Sequence, residues 1–247
     1  MTLAFYGCSQ DLGPGNNFEL FKNTANWPLA QTIIERDYKK LETILNKENS
    51  VKINLQEPVY NQTLLNISIG NYNITAVKIL LNHGANINIP DTFGFPALHK
   101  AVMELNSKKN SVEIIKLLIE HGANPNSVAL INNHKSKYLP LMGAIVNLDA
   151  TKILLDHGAD LYYRDSLDYP IWSIMLGGDL YNSENIYVAK YVIVDKQMSI
   201  PNPVFYTTPS GIPRDIHYLL EKFDTHGDIK KQKTKSEILN YLKIKKI

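Results

Sequence analysis

The sequence predicts an all-α solenoid, a linear stack of helix-turn-helix units with projecting turns. Three observations predict it. The phrase LLNHGANIN from Leu80 returns as LIEHGANPN from Leu118 and as LLDHGADLY from Leu154. Its Gly-Ala pairs begin at Gly84, Gly122 and Gly158, 38 and 36 residues apart, and a period of roughly 20–50 residues marks a stacked array. A second phrase alternates with the first: FPALHKAV from Phe95, YLPLMGAI from Tyr138 and YPIWSIML from Tyr169.

The elements follow in order. Before each Gly-Ala pair lies an apolar pattern of helical period: Ala76, Val77, Ile79, Leu80 and Leu81, then Ile114, Ile115, Leu117, Leu118 and Ile119, then Ile153, Leu154 and Leu155. Each is an amphipathic helix closed by a glycine that can adopt the left-handed conformation. Pro96, Pro140 and Pro170 lead the second phrase, and proline suits the first turn of a helix, where its missing N–H would have had no partner. Each unit therefore reads as turn, short helix, loop and second helix. Weaker copies flank the good ones, WPLAQTIIERDYKKLETILNKENSVKIN before them and the segment with Val192 and Ile193 on its buried side after them. From Pro209 onward the chain reads as a capping helix pair, with lysines around Ile238, Leu239, Leu242 and Ile244 as an apolar inner face.

This gives residues 1–24 as a leader remnant and flexible tether, and 25–247 as one repeat domain. The approximate units are 25–56, 57–89, 90–127, 128–165 and 166–202, with a cap at 203–247. Such a stack buries each unit only against its neighbours, so its ends must be more polar.

The motif DTFGFPALHKAV…EIIKLLIEHGANPN resembles the ankyrin repeat, with Asp91, Gly94, Pro96, Leu98, His99, Ala101, Leu117, Leu118, Gly122 and Ala123 on the family positions. Phe95 is read in the place of the usual threonine, a departure expected to re-pack this copy. The resemblance implies a protein-binding scaffold, with His99 bracing turns between repeats.

Composition agrees with a globular protein: 247 residues, 44% hydrophobic, 20% charged, formal net charge +2. That charge excludes a strongly basic nucleic-acid binder. No run of about 20 apolar residues is present to span a bilayer as a helix. One cysteine, Cys8, excludes an internal disulfide and any zinc site built on cysteine pairs.

No catalytic, cofactor or metal site is expected. His83, His121 and His157 recur in step, but helices stack about 8–10 Å apart and zinc ligands lie about 2.0–2.1 Å from the metal. They are read as partners for free carbonyls at helix ends. Ser127, Ser136 and Ser173 lack a nucleophile-elbow context, and Gly177 and Gly178 form no phosphate loop.

A protein partner is expected instead. The candidate surface comprises Phe93, Phe95, Tyr138, Tyr163, Arg164, Asp165, Asp168, Tyr169, Asp179, Tyr181 and Glu184, because tyrosine and other aromatics on projecting turns bring rigid area with a polar handle. The inserted turns ELNSKKNSVE and SVALINNHKSKY are further places for specificity. The basic set Lys230, Lys231, Lys233, Lys235, Lys243, Lys245 and Lys246 reads as a solubilising cap, with an anionic membrane or nucleic acid as alternatives.

LAFYGCSQDLGPGNN resembles the end of a bacterial lipoprotein signal, with Cys8 as the lipidation candidate, although Phe5 and Tyr6 are bulky and most of an h-region is missing. Together with the repeats this resembles periplasmic ankyrin-type lipoproteins that act as immunity proteins. The expectation is one protein partner, such as an antibacterial toxin of the type VI secreted lipase class, a monomer otherwise, no nucleic acid, and membrane contact only through the lipid. The alternative is a secreted bacterial effector that binds a host protein, with a secreted or cytoplasmic location.

Overall fold

Four helical hairpins stack in chain order in the computed structural model, which describes residues 16–47, 53–105, 111–131, 136–164, 171, 185–200, 205–207 and 212–246. They are α1 (Trp27–Ile34) with α2 (Tyr38–Lys47), α3 (Leu64–Gly70) with α4 (Ile74–Asn82), α5 (Ala97–Met103) with α6 (Ser111–Glu120), and α7 (Pro140–Ala144) with α8 (Leu148–Asp156). The first helices form one row, with α3, α5 and α7 in contact, and α2, α4, α6 and α8 form the other. Beyond them α9 (Asn185–Lys190) runs into a π-turn at Tyr191–Asp195 and packs on α8. The stack closes with α10 (Ile216–Lys222) and α11 (Ile229–Lys245), and α11 lies on α9 and the π-turn. No helix among the described residues is long and apolar enough to cross a membrane.

The second-row helices stop by one shared mechanism. Gly84, Gly122 and Gly158 have φ of +81°, +88° and +86°, the left-handed region where a side chain is strained. The turn lets Ala85, Ala123 and Ala159 donate to the carbonyls of Leu80, Leu118 and Leu154, each at 2.9 Å, so carbonyls that would otherwise be orphaned at the helix end are satisfied. His121 and His157 add Nδ1 contacts to the carbonyls of Leu117 and Ile153 at 2.8 and 2.7 Å, the carbonyl-binding role read from the sequence. First-row helices turn the same way without glycine: Arg36 and Tyr72 sit at φ 56° and 54°.

One apolar core runs through the stack from Phe18 to Leu242. Val192 and Ile193 are buried as expected. The helical solenoid stands as predicted, with two short antiparallel hairpins added to it. Strands β1 (Ala129–Ile131) and β2 (Ser136–Tyr138) pair with Ala129 opposite Tyr138, and β3 (Phe205–Thr207) and β4 (Ile212–Arg214) pair with Phe205 opposite Arg214. The first hairpin is made from the lengthened turn SVALINNHKSKY.

Three expectations are corrected. Pro96 is the residue before α5, with φ −65° and ψ 170° and no side-chain cap bond, so it stands where Thr63 caps α3 through a bond from the Asn66 N–H. The missing threonine hydroxyl is therefore at Pro96, not at Phe95, while Pro140 does open α7. Residues 16–24 of the assigned tether belong to the array: Phe18 and Phe21 in the short 3-10 helix Phe18–Phe21 are buried, and Asn71 Nδ2 donates to the Asn16 carbonyl at 2.7 Å. Ile244 faces solvent at 78% exposure, because α11 turns Thr234, Ile238 and Leu242 toward the array instead.

Candidate partner-binding surface

The projecting turns are anchored at their roots by buried carboxylates. Glu57 is fully buried, and its carboxylate accepts the N–H groups of Val59, Tyr60 and Gln62 at 2.7, 2.9 and 2.9 Å. One repeat later Asp91 accepts from Phe93 and Phe95 at 2.9 and 3.0 Å. Burial raises the Asp91 pKa above the ordinary carboxylate value, opposed by those backbone bonds and by the charge of Lys100. The two turns are also tied to each other: Thr92 N–H donates to the Tyr60 carbonyl at 2.9 Å, and Gln56 Nε2 to the Pro90 carbonyl at 2.9 Å. Carboxylates that saturate a turn's N–H groups fix its backbone, so the tips are held rigid.

What the rigid turns present is apolar. Val59 and Phe93 are 57% and 61% exposed at adjacent tips, and Val128 before β1 is 43% exposed. Tyr162 on the next turn is likewise exposed, its hydroxyl donating to the Ser199 carbonyl at 3.0 Å.

Behind the tips lies an aromatic cluster. Phe95 stacks on His99 with ring centres 6.3 Å apart and meets Tyr138 edge-on at 6.2 Å. His99 is fully buried, with Nε2 3.0 Å from the Tyr138 carbonyl oxygen. Burial pushes its pKa down to about 4, against the pull of backbone groups of Tyr138 and Ser127. The imidazole is therefore neutral at physiological pH and donates from Nε2. Burial likewise pushes the Tyr138 phenol up to about 12. Gly143 makes room for that phenol, since a Cβ there would lie 2.6 Å from the hydroxyl oxygen. His99 thus braces successive repeats, the role its resemblance implied.

Among the sequence candidates, Phe95 and Tyr138 are brought together in this cluster, and Phe93 stands apart at its tip. Tyr163 is half-buried against the core and Arg164 is exposed. Asp165, Asp168, Tyr169, Asp179, Tyr181, Glu184 and Cys8 lie outside the described residues. Sequence reading missed Val59, Val128, Glu57 and Gly143. Glu57 lies six residues before Thr63 and Asp91 five before Pro96, and that one-residue offset hides the acidic root of the earlier turn from a direct alignment of the repeats.

The comparisons with known proteins agree with this architecture. Residues 29–129 match the family description "Ankyrin repeats (3 copies)". An ankyrin repeat protein of Rickettsia bellii (strain RML369-C) is 41% identical over 67 residues, covering 27% of each chain. One from Fowlpox virus (strain NVSL) is 41% identical over 66 residues, 27% of this chain and 19% of that one. The matched region thus spans about a quarter or less of those relatives' length. The crystal structure of EF0377, an ankyrin repeat protein, superposes with a TM-score of 0.56 at 21% identity, covering 87% of this chain and 96% of that chain. The chain has the ankyrin-repeat fold. Ankyrin repeats are generally protein-binding scaffolds.

Proposed function

We propose that this chain is a non-catalytic scaffold that binds one protein partner through its projecting turns, and that the partner is an antibacterial toxin, such as a type VI secreted lipase effector, which it neutralises as an immunity protein. The observation that carries the reading is the pair of exposed apolar tips, Val59 and Phe93, on turns fixed by Glu57 and Asp91. Rigid apolar anchors lose little conformational freedom on binding, which is what interface hot spots require. Inhibition would be steric, with the tips seated in or beside the toxin's active-site cleft. Lipid attachment at Cys8 and a periplasmic location belong to the same reading. The test is toxin activity titrated with the purified chain. Stoichiometric inhibition that Phe93→Asp abolishes supports it, and a chain that leaves every toxin of its own cell fully active overturns it.

A second reading, a secreted effector that binds a host protein, is favoured by the viral source of one of the two curated relatives. It uses the same tips. Capture of a stoichiometric partner from host lysate, lost in Phe93→Asp, with no toxin bound, selects it.

A further inference from the structure

We propose that the outward face of α11 is a docking surface for an anionic lipid bilayer. The helix has seventeen residues, Ile229–Lys245, and successive residues turn by about 100°. That spacing puts Ile229, Lys233, Asn240, Lys243 and Ile244 on one face, opposite the buried Thr234, Ile238 and Leu242. The two isoleucines are 79% and 78% exposed. At about 1.5 Å per residue they stand about 22 Å apart, with the lysines between them.

The structure divides the lysines of this helix by role. Lys231 pairs with Asp228 at 3.6 Å, Lys235 Nζ donates to the Phe223 carbonyl at 3.0 Å, and Lys245 lies 5.7 Å from the ring centre of Tyr241. These bind the cap to itself. Lys233 and Lys243 are exposed and have no carboxylate partner among the described residues. Of the neighbouring carboxylates, Glu237 pairs with Lys190 at 3.4 Å, Asp224 lies 3.1 Å from the His226 ring, and Glu221 is exposed on α10.

Solubility alone accounts for the lysines but not for two exposed isoleucines flanking them. A bilayer accounts for both, with anionic headgroups for the ammonium groups and the acyl boundary for the side chains of Ile229 and Ile244. Nucleic acid fits less well, because the face offers no aromatic ring on which a base could stack. Tyr241 is half-buried and occupied by Lys245.

The experiment is flotation of the full chain with phosphatidylcholine vesicles, with and without about one-third phosphatidylglycerol. The chain should float with anionic vesicles only, and less as salt is raised. Lys233→Glu/Lys243→Glu should lower partition by about twenty-five-fold or more, at about five-fold for each lysine removed. Ile229→Ser/Ile244→Ser should lower it by about ten-fold, with the thermal midpoint unchanged in both. Lys116→Glu, which makes the charge change of one of these two lysine substitutions on the exposed side of α6, should leave partition unaltered. No flotation with anionic vesicles, an equal loss in Lys116→Glu, or tighter binding to an oligonucleotide than to vesicles would each overturn the proposal.

Discussion

His99 Nε2 stands 3.0 Å from the carbonyl oxygen of Tyr138, joining α5 of one repeat to the strand that leads into the next. Burial keeps the imidazole neutral while it makes this bond, because the ring is fully buried and a charge there is penalised by desolvation, a penalty that outweighs the pull of the Tyr138 carbonyl toward the charged form.

Stability should therefore depend on pH through this residue. The folded pKa of about 4 lies below the ordinary value of 6.5, so the unfolded chain binds the proton first. The contribution is complete above pH 6.5 and is lost as pH falls toward 4, on the order of 3 kcal/mol in all. Asp91, whose pKa is raised, works in the opposite direction at the acidic end. His99→Asn is the control: it should be less stable at pH 7 and show a flatter slope between pH 6.5 and 4 in urea titrations.

Gly143→Ala should destabilise although alanine is ordinarily the better helix residue. The added Cβ would meet the Tyr138 hydroxyl at 2.6 Å and Val102 Cγ2 at 3.1 Å, and overpacking of this kind costs about 1–3 kcal/mol. Tyr138→Phe removes the hydroxyl and should recover much of that loss. A double-mutant cycle measures the coupling, and additive effects would contradict the packing described for this pair.

Glu57→Ala should cost about 2–4 kcal/mol, because three backbone N–H groups lose a buried acceptor together. Glu57→Gln keeps one oxygen and should lose less. Denaturation midpoints at unchanged slope check both.

The repeat was legible because its punctuation is local. Gly84, Gly122 and Gly158 each close a helix through bonds spanning a few residues, and the apolar pattern before them has a single period. The register of Pro96 was misread because proline's fixed φ is compatible with both the residue before a helix and its first turn. The β1–β2 hairpin was not legible, since its strands are three residues each, too short for an alternating pattern to show. Glu57 escaped notice because its importance comes from three backbone groups that only the folded turn brings within reach. Phe93 was picked out as an exposed aromatic on a turn, whereas Phe95, two residues on, turned out to pack behind the tip against Tyr138. No one-dimensional pattern separates two aromatics so close in a loop.

The measurement that tests the central claim most directly compares partner binding by the wild-type chain and Val59→Asp/Phe93→Asp, after the stoichiometric partner has been captured and purified. Both side chains are largely solvated, so the substitutions should leave the folding free energy within about 0.5 kcal/mol of wild type. The prediction is a loss of at least about a hundred-fold in affinity, as removal of two hot-spot anchors entails. Equal affinity of the folded variant and the wild type would contradict a scaffold that binds through its turn tips.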